Sequence, residues 1–367
     1  MTKRIINSLL FACVGILLSS CGDQQPQQNT TATSKAKEQK VYHWKMVTSW
    51  PKNFPGLGMA PEKFAKYVNA MSNGRLTIHV YGAGELVPAL AVFDAVSQGT
   101  VQMGHSGSYY WKGKIPAAPL FGAIPFGMTA DELNAWLSYG GGKELWREMY
   151  KPFGVIPLAG GNTGAQFAGW FKKEINTIDD LKGLKMRIPG LAGEVLEKAG
   201  AIPVNLPGGE IFSALQSGAL DATEWVGPYN DLAFGFYQAA DYYYSSVWHE
   251  PAAGLEFLIN EKAYNALPKD LQAIITVAAK AVNEDTLDEY NARNNNALQD
   301  LIIKHHVKMR TFPEPVLAKL KEYTQQVMAE QAEKDPGFAK VWHSYSTFLQ
   351  QMRAYDDLTL KAYYQHR

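Results

Sequence analysis

The chain has 367 residues, a length that predicts about two compact units. Lys plus Arg and Asp plus Glu both number 35, and a zero balance argues against a nucleic-acid binder, which needs a basic excess. Aromatic residues make up 12%, enough for a large core and an aromatic-lined cleft.

Residues 1–20 read as an export signal. Lys3 and Arg4 are its positive region and Ile5–Leu18 its apolar run, interrupted at Asn7-Ser8. That run is too short for a permanent membrane span. Leu18-Ser19-Ser20-Cys21 has the pattern of a bacterial lipobox, with Cys21 as the lipidated residue. Cleavage before Cys21 removes Cys13 and leaves one cysteine, so the mature chain forms no internal disulfide. Lipid on Cys21 would hold the protein to a membrane on the periplasmic side. Residues 21–40, rich in Gln, Thr, Ser, Lys and Ala, read as a flexible tether. It would reach ~60 Å extended and ~25 Å as a coil.

Tyr42–Ser49 alternates as a first strand. Pro61 opens a helix to Gly74 with Phe64, Tyr67, Val68 and Met71 on one stripe. Strand Leu76–Tyr81, helix Pro88–Gln98 and strand Val101–Ser106 follow. This β-α-β-α-β order predicts a parallel sheet covered by helices. Short helices are expected at Ala130–Tyr139 and Lys143–Tyr150, and strands at Val155–Ala159 and Gly164–Phe171, the second crossing to another lobe. Next come strand Leu184–Ile188 and helices Ala192–Ala199 and Glu210–Ser217, each closed by a glycine. Glu256–Asn260 reads as a strand crossing back. Lys269 to about His305 is helical and long enough that a break is expected; His305-His306 at its end read as helix-end cations. Lys308–Phe312 is a further strand, and Pro315–Glu333 and Pro336–Tyr364 are helices. The last carries Phe338, Val341, Trp342, Tyr345, Phe348, Leu349 and Met352 on one side, which requires its own lobe or another subunit as cover.

Between these elements lies Asp221–Asp231, D-A-T-E-W-V-G-P-Y-N-D. Pro228 disfavours a helical Gly227, so the chain turns just after Trp225. Glu224 then sits at a strand end, where α/β proteins hold ligands. It can bind a cation, joined by an exposed carbonyl of the turn, or it can be a half-buried cap for the next helix. Enzyme motifs fail one by one. Gly104-His105-Ser106-Gly107-Ser108 lacks the last glycine of a hydrolase elbow, His249-Glu250 lacks a second zinc histidine, and Gly82-Ala83-Gly84 lacks the third glycine of a dinucleotide loop.

Three segments belong together: Gly161-Asn162-Thr163-Gly164-Ala165-Gln166, then Leu181-Lys182-Gly183-Leu184-Lys185-Met186-Arg187-Ile188-Pro189-Gly190, then Glu224-Trp225-Val226-Gly227-Pro228. With them the chain resembles the solute-binding proteins of tripartite ATP-independent periplasmic (TRAP) transporters, from about Trp44 to at least Pro336, and most of all the branch that binds 2-oxo monocarboxylates. The resemblance implies that Arg187 binds the substrate carboxylate, for which a planar guanidinium fork is suited. It implies a metal held by the Gln166 side-chain oxygen, the Glu224 carboxylate and the Trp225 main-chain carbonyl. These are hard oxygen donors, fitting sodium, or calcium as the alternative. With Glu224 bidentate and two oxygens from a 2-oxoacid, about six ligands result. Arg187 plus a monovalent ion balances Glu224 plus a carboxylate, which favours sodium. Asn162 and Tyr110 fall where relatives contact ligand, with the choice between Tyr109 and Tyr110 left open. Trp225 and Trp248 are candidates to wall the substrate tail.

The expected fold is α/β, a two-lobed periplasmic-binding-protein-like clamshell with a long interlobe helix and a C-terminal helix. Lobe I would take residues 41–163 and about 254–290, and lobe II 164–253 and about 291–335. Residues 336–367 resemble a helix that is exchanged between subunits, which implies a homodimer. The expected partners are a small 2-oxo or 2-hydroxy monocarboxylate such as pyruvate and a membrane permease. The alternatives are a lipid-anchored, metal-dependent enzyme on 2-oxoacids, with His249 or His105 as general acid or base, and a sensory binding protein without transport.

Overall fold

The computed structural model describes residues 40–367; the signal, the lipobox with Cys21 and most of the tether lie outside the described residues. Eleven strands form along the described chain: β1 (Tyr42–Thr48), β2 (Leu76–Tyr81), β3 (Met103–Gly107), β4 (Val155–Asn162), β5 (Gly169–Phe171), β6 (Lys185–Arg187), β7 (Ile202–Val204), β8 (Ala222–Thr223), β9 (Tyr242–Tyr244), β10 (Gly254–Asn260) and β11 (Lys308–Arg310). They build two sheets, one in the order β2-β1-β3-β10-β4 and the other β11-β9-β5-β8-β6-β7. In the first, β1 pairs in parallel with β2 and β3, as the alternation of strands and helices requires. β10 enters between β3 and β4, antiparallel to both, and is buried along nearly its whole length, as a central strand covered on both faces must be.

The chain leaves the first sheet after β4, returns as β10, and leaves again through the helix Lys269–Ile303. This is the two-lobed α/β clamshell expected from the sequence. The expected break in that helix is absent: it runs 35 residues without interruption, about 52 Å at 1.5 Å per residue. The sequence misled because the apolar stripe changes direction along the helix. Leu271, Ile275, Ala278, Ala279 and Val282 join the first-sheet core with Phe64 and Phe257. Tyr290 and Leu301 join the second-sheet core with Trp170 and Ile211. One straight rod faces two lobes in turn, and its periodicity drifts without a backbone break. The strands β7 and β9, three residues each, were not read from the sequence; Tyr242-Tyr243-Tyr244 offers no alternation to read.

The C-terminal helix runs Pro336–Leu358 and restarts as Leu360–Tyr364 after a kink at Thr359. Phe338, Val341, Tyr345 and Leu349 are buried within this same chain. The Met128 amide donates to the Tyr345 hydroxyl at 2.6 Å and the Trp136 indole to Ser344 Oγ at 3.1 Å. The chain's own lobe thus covers the first half of the stripe, whereas Tyr355, Leu358, Tyr363 and Tyr364 stay exposed.

Candidate functional site

The site grows from two neighbouring parallel strands. β6 and β8 pair with Arg187 opposite Thr223, and the Glu224 amide donates to the Arg187 carbonyl at 3.2 Å. Both side chains therefore leave the carboxyl ends of adjacent strands, where open α/β sheets bind ligands. β5 presses on the same turn through Gly169, at φ +110: a Cβ there would lie 2.1 Å from the Thr223 carbonyl oxygen, so only glycine fits.

Arg187 is 1% exposed. Its Nε donates to the Leu206 carbonyl at 3.1 Å, its Nη2 to the Tyr110 hydroxyl at 3.1 Å, and its Nη1 to Glu224 Oε1. The guanidinium also lies 5.0 Å from the Trp225 ring centre. Burial alone would lower its pKa, but the charge of Glu224 and the tyrosine hydroxyls more than offset this and raise it. Of the two adjacent tyrosines, it is Tyr110 whose hydroxyl meets the guanidinium. The arrangement differs from the sequence expectation in one respect. Arg187 and Glu224 touch directly, since their strands end side by side, so one oxygen of the supposed bidentate Glu224 faces the guanidinium.

Glu224 is 1% exposed and does not cap the following helix Pro228–Phe234. The first-turn Tyr229 amide donates instead to Asn294 Oδ1 at 3.0 Å, and Asp231 accepts from the Val226 and Gly227 amides just ahead of the helix at 3.4 and 3.2 Å. Gln166 follows β4; its Nε2 donates to Thr163 Oγ1 at 2.9 Å, while its Oε1 is buried with no hydrogen-bond partner among the described residues. Asn162 is alike: Oδ1 accepts from the Gly164 amide at 2.9 Å and Nδ2 is left unpartnered. The Trp225 carbonyl likewise receives no hydrogen bond among the described residues. Buried polar atoms are rarely left so; both ring nitrogens of His249, whose Nε2 is 3.4 Å from Glu224 Oε2, are also without a hydrogen-bond partner among the described residues. Gln166 Oε1, Glu224 and the Trp225 carbonyl are an oxygen-only donor set that fits a hard cation. Among the described residues, no cluster of three His, Cys, Asp or Glu side chains could hold a metal, so a zinc-type ligand set is not offered there.

The remaining candidates divide. Trp248 packs on Phe126 and His249 and makes no ring contact with Trp225. The tryptophan that does is Trp50, beyond the end of β1, with ring centres 6.1 Å from Trp225 and 6.2 Å from Tyr110. Its indole N–H donates to His105 Nδ1 at 2.8 Å, and His105 Nε2 meets the Gly160 carbonyl at 2.9 Å. Burial lowers the His105 pKa to about 4. With both nitrogens engaged and the ring neutral, His105 holds Trp50 in place and offers no proton for chemistry. His249 is buried with Nε2 3.4 Å from Glu224 Oε2. Sequence reasoning also missed Glu250, buried beside the site. Its carbonyl accepts from the Gln166 amide at 3.0 Å, and burial, then the nearby Glu224 charge, push its carboxyl well above the usual carboxylate range. Both residues stand next to positions already singled out, Trp50 at a strand end before Pro51 and Glu250 beside His249, but neither lies in a recognisable motif.

Comparison with known proteins agrees with this architecture. Residues 46–335 match the family described as bacterial extracellular solute-binding protein, family 7 (DctP). The chain is 41% identical over 361 residues to a monocarboxylate 2-oxoacid-binding periplasmic protein of Nostoc sp., covering 98% of this chain and 97% of the relative. Among solved structures, a TRAP periplasmic solute-binding protein of Pseudoalteromonas atlantica with bound sodium and pyruvate superposes at TM-score 0.87 with 48% identity, covering 89% of this chain and all of that one. One from Colwellia psychrerythraea with bound calcium and pyruvate superposes at TM-score 0.87 and 48% identity with the same coverage. The chain therefore belongs to family 7 of the bacterial extracellular solute-binding proteins, the receptors of TRAP transporters.

Proposed function

We propose that this receptor captures a small 2-oxo or 2-hydroxy monocarboxylate such as pyruvate, together with a hard cation, in the cleft between its lobes and delivers it to a TRAP membrane permease. The observation that carries this reading is the buried pairing of Arg187 with Glu224 at two adjacent strand ends, with the unpartnered Gln166 Oε1 on a segment that the Phe167 amide ties to the Val226 carbonyl at 3.2 Å. Arg187 would hold the acid's carboxylate through its Nη atoms while Leu206 and Tyr110 keep the guanidinium plane fixed. Gln166 Oε1, Glu224 and the Trp225 carbonyl would hold the cation. When bound, it supplies a second positive charge to the acid's head. Charge balance favours sodium: Arg187 and a monovalent ion match Glu224 and one carboxylate. The relatives bound to sodium with pyruvate and to calcium with pyruvate support a hard cation accompanying the acid, and experiment chooses between the two ions. Asn162, with Nδ2 unpartnered, would donate to the acid, and Trp50, Tyr110 and Trp225 would wall its tail.

Residues 41–163 with about 254–290, and 164–253 with about 291–335, are the two halves of the clamp in this proposal. His105, engaged on both nitrogens, is set aside as a general acid or base, so the enzyme alternative would rest on His249, 3.4 Å from Glu224 Oε2. No helix among the described residues is long and apolar enough to cross a membrane, and attachment through lipid on Cys21 is proposed from the lipobox. The exposed Tyr355, Leu358, Tyr363 and Tyr364 support a homodimer built on residues 336–367. The decisive test is calorimetry with pyruvate, lactate and longer 2-oxoacids after chelation and desalting, with sodium and calcium restored separately. Cation-dependent binding of a 2-oxoacid without turnover is expected. Equal binding in the stripped protein, or consumption of pyruvate, refutes the reading.

A further inference from the structure

Asp231 lies in the helix Pro228–Phe234 and is 1% exposed, yet its carboxylate meets four donors. Oδ2 accepts from the Tyr243 hydroxyl at 2.7 Å and the Trp170 indole at 3.0 Å. Oδ1 accepts from the Gly227 amide at 3.2 Å and the Val226 amide at 3.4 Å. Trp170 and Tyr243 stand opposite each other on β5 and β9, with rings stacked 4.0 Å apart. The acid is thus fastened to the sheet on one side and to the backbone of the turn on the other.

The Val226 N–H and the Trp225 carbonyl are two ends of one peptide unit. That unit is planar and trans, so its N–H and C=O point in opposite directions. An acceptor fixed on the N–H side therefore fixes where the carbonyl points. A hydrogen bond accepted from the N–H also polarises the unit and leaves more negative charge on the carbonyl oxygen, which makes it a stronger ligand for a hard cation. Glu224, one peptide earlier, is steered by the same turn. We propose that Asp231 is a positioning residue of the cation site, acting through the Trp225–Val226 peptide and touching neither ion nor acid. This rests on the reading that the Trp225 carbonyl and Glu224 hold a cation.

The test compares Asp231→Asn with Tyr243→Phe in the whole mature protein. The second variant removes one donor from the same carboxylate and leaves the backbone contacts in place. Pyruvate binding is followed by calorimetry while sodium, and separately calcium, is titrated; melting without added ligand is measured beside it. Asp231→Asn is expected to raise the cation midpoint at least about tenfold, and Tyr243→Phe to move it less than about threefold, although both lower the melting temperature. A midpoint that tracks the loss of melting temperature in both variants assigns Asp231 a structural role only and overturns the proposal. If Asp231→Asn does not fold, Asp231→Glu decides: it keeps the charge but displaces it by one methylene, and an unchanged midpoint there is equally fatal. Pyruvate binding by the wild type that ignores the cation removes the underlying site as well. Cation-dependent binding in the wild type with unmoved variants removes this inference alone.

Discussion

Arg187 has two tasks that a double-variant cycle can separate. It is the anchor proposed for the acid's carboxylate, and it is the charge partner of the buried Glu224. Arg187→Ala deletes its bonds to Leu206, Tyr110 and Glu224 and leaves a carboxylate that is 1% exposed with no counter-charge. Breaking a buried pair in this way costs about 3–5 kcal/mol, so the fold should survive with a melting temperature several degrees lower. Arg187→Ala/Glu224→Gln removes both charges and should recover most of that loss, because the stranded charge is gone. Binding should not recover. Truncating one side of a buried, hydrogen-bonded charge pair costs about 2–5 kcal/mol, or roughly 30- to 4,000-fold in affinity at 1.4 kcal/mol per decade, and the double variant also lacks the cation's carboxylate. Melting curves and pyruvate calorimetry on the four proteins of the cycle measure both. If the double variant binds pyruvate within a few-fold of wild type, Arg187 is not the anchor. If Arg187→Ala melts like wild type, the pair is not the compensated unit the geometry describes.

Gln166→Leu removes an acceptor that is buried and unpartnered. Because such an acceptor costs about 1–3 kcal/mol, the melting temperature without added ligand should hold within a few degrees, while the cation midpoint for pyruvate binding rises more than about tenfold. Trp50→Leu withdraws the ring that stands against Trp225 and Tyr110. Each methylene accommodated in an apolar pocket is worth about 1–3 kcal/mol, so the preference for pyruvate over a six-carbon 2-oxoacid should fall at least about tenfold in competition calorimetry, and Trp248→Leu should leave it unchanged. Glu256, wholly buried on β10, has its carboxyl raised to about 8 by burial, against the donors Trp111 and Tyr150. An acid raised in the fold contributes stability that is complete below its unfolded pKa of 4.5 and is lost as pH rises through about 8. Wild type should lose a few kcal/mol across that window, and Glu256→Gln should flatten the slope; denaturant curves at pH 5 and pH 8.5 decide.

The alternation of strands and helices through β3 and the glycine-closed helices were legible because their signals are local. So was the turn after Trp225, since Pro228 acts on its immediate neighbour. What escaped was set by contacts distant in sequence. The helix Lys269–Ile303 gave no single stripe because it serves two cores. Arg187 and Glu224 were assigned to one site, but their direct contact depends on β6 and β8 pairing in register. Trp50 and Trp248 carry the same side chain in equally apolar surroundings, and only the fold tells which one stands over the site. Asp231 read as the end of a motif, although its carboxylate collects donors from β5, β9 and the turn.

These long-range contacts also explain how a small ligand could control the whole molecule. Around the cleft, the loop after β1 stacks Phe54 on Phe234 at 4.3 Å, and Asn230 Nδ2 donates to the Pro55 carbonyl at 2.9 Å while the Tyr290 hydroxyl donates to Asn230 Oδ1 at 2.7 Å. At another edge, Lys112 pairs with Glu194, whose second oxygen accepts from Gln331 Nε2 at 2.7 Å. The Phe54–Phe234, Asn230–Pro55 and Lys112–Glu194 contacts would each join a segment of the first proposed lobe to one of the second. In the proposed capture such contacts would favour a closed form whether or not the site is filled, so the ligand would need to supply only the difference in affinity between open and closed forms. If the acid binds Arg187 as proposed, Arg187 would supply that difference, because Leu206 and Glu224 hold it from the proposed second lobe while Tyr110 comes from the first. An acid bound there would be bound to a group whose full set of hydrogen bonds needs both lobes together.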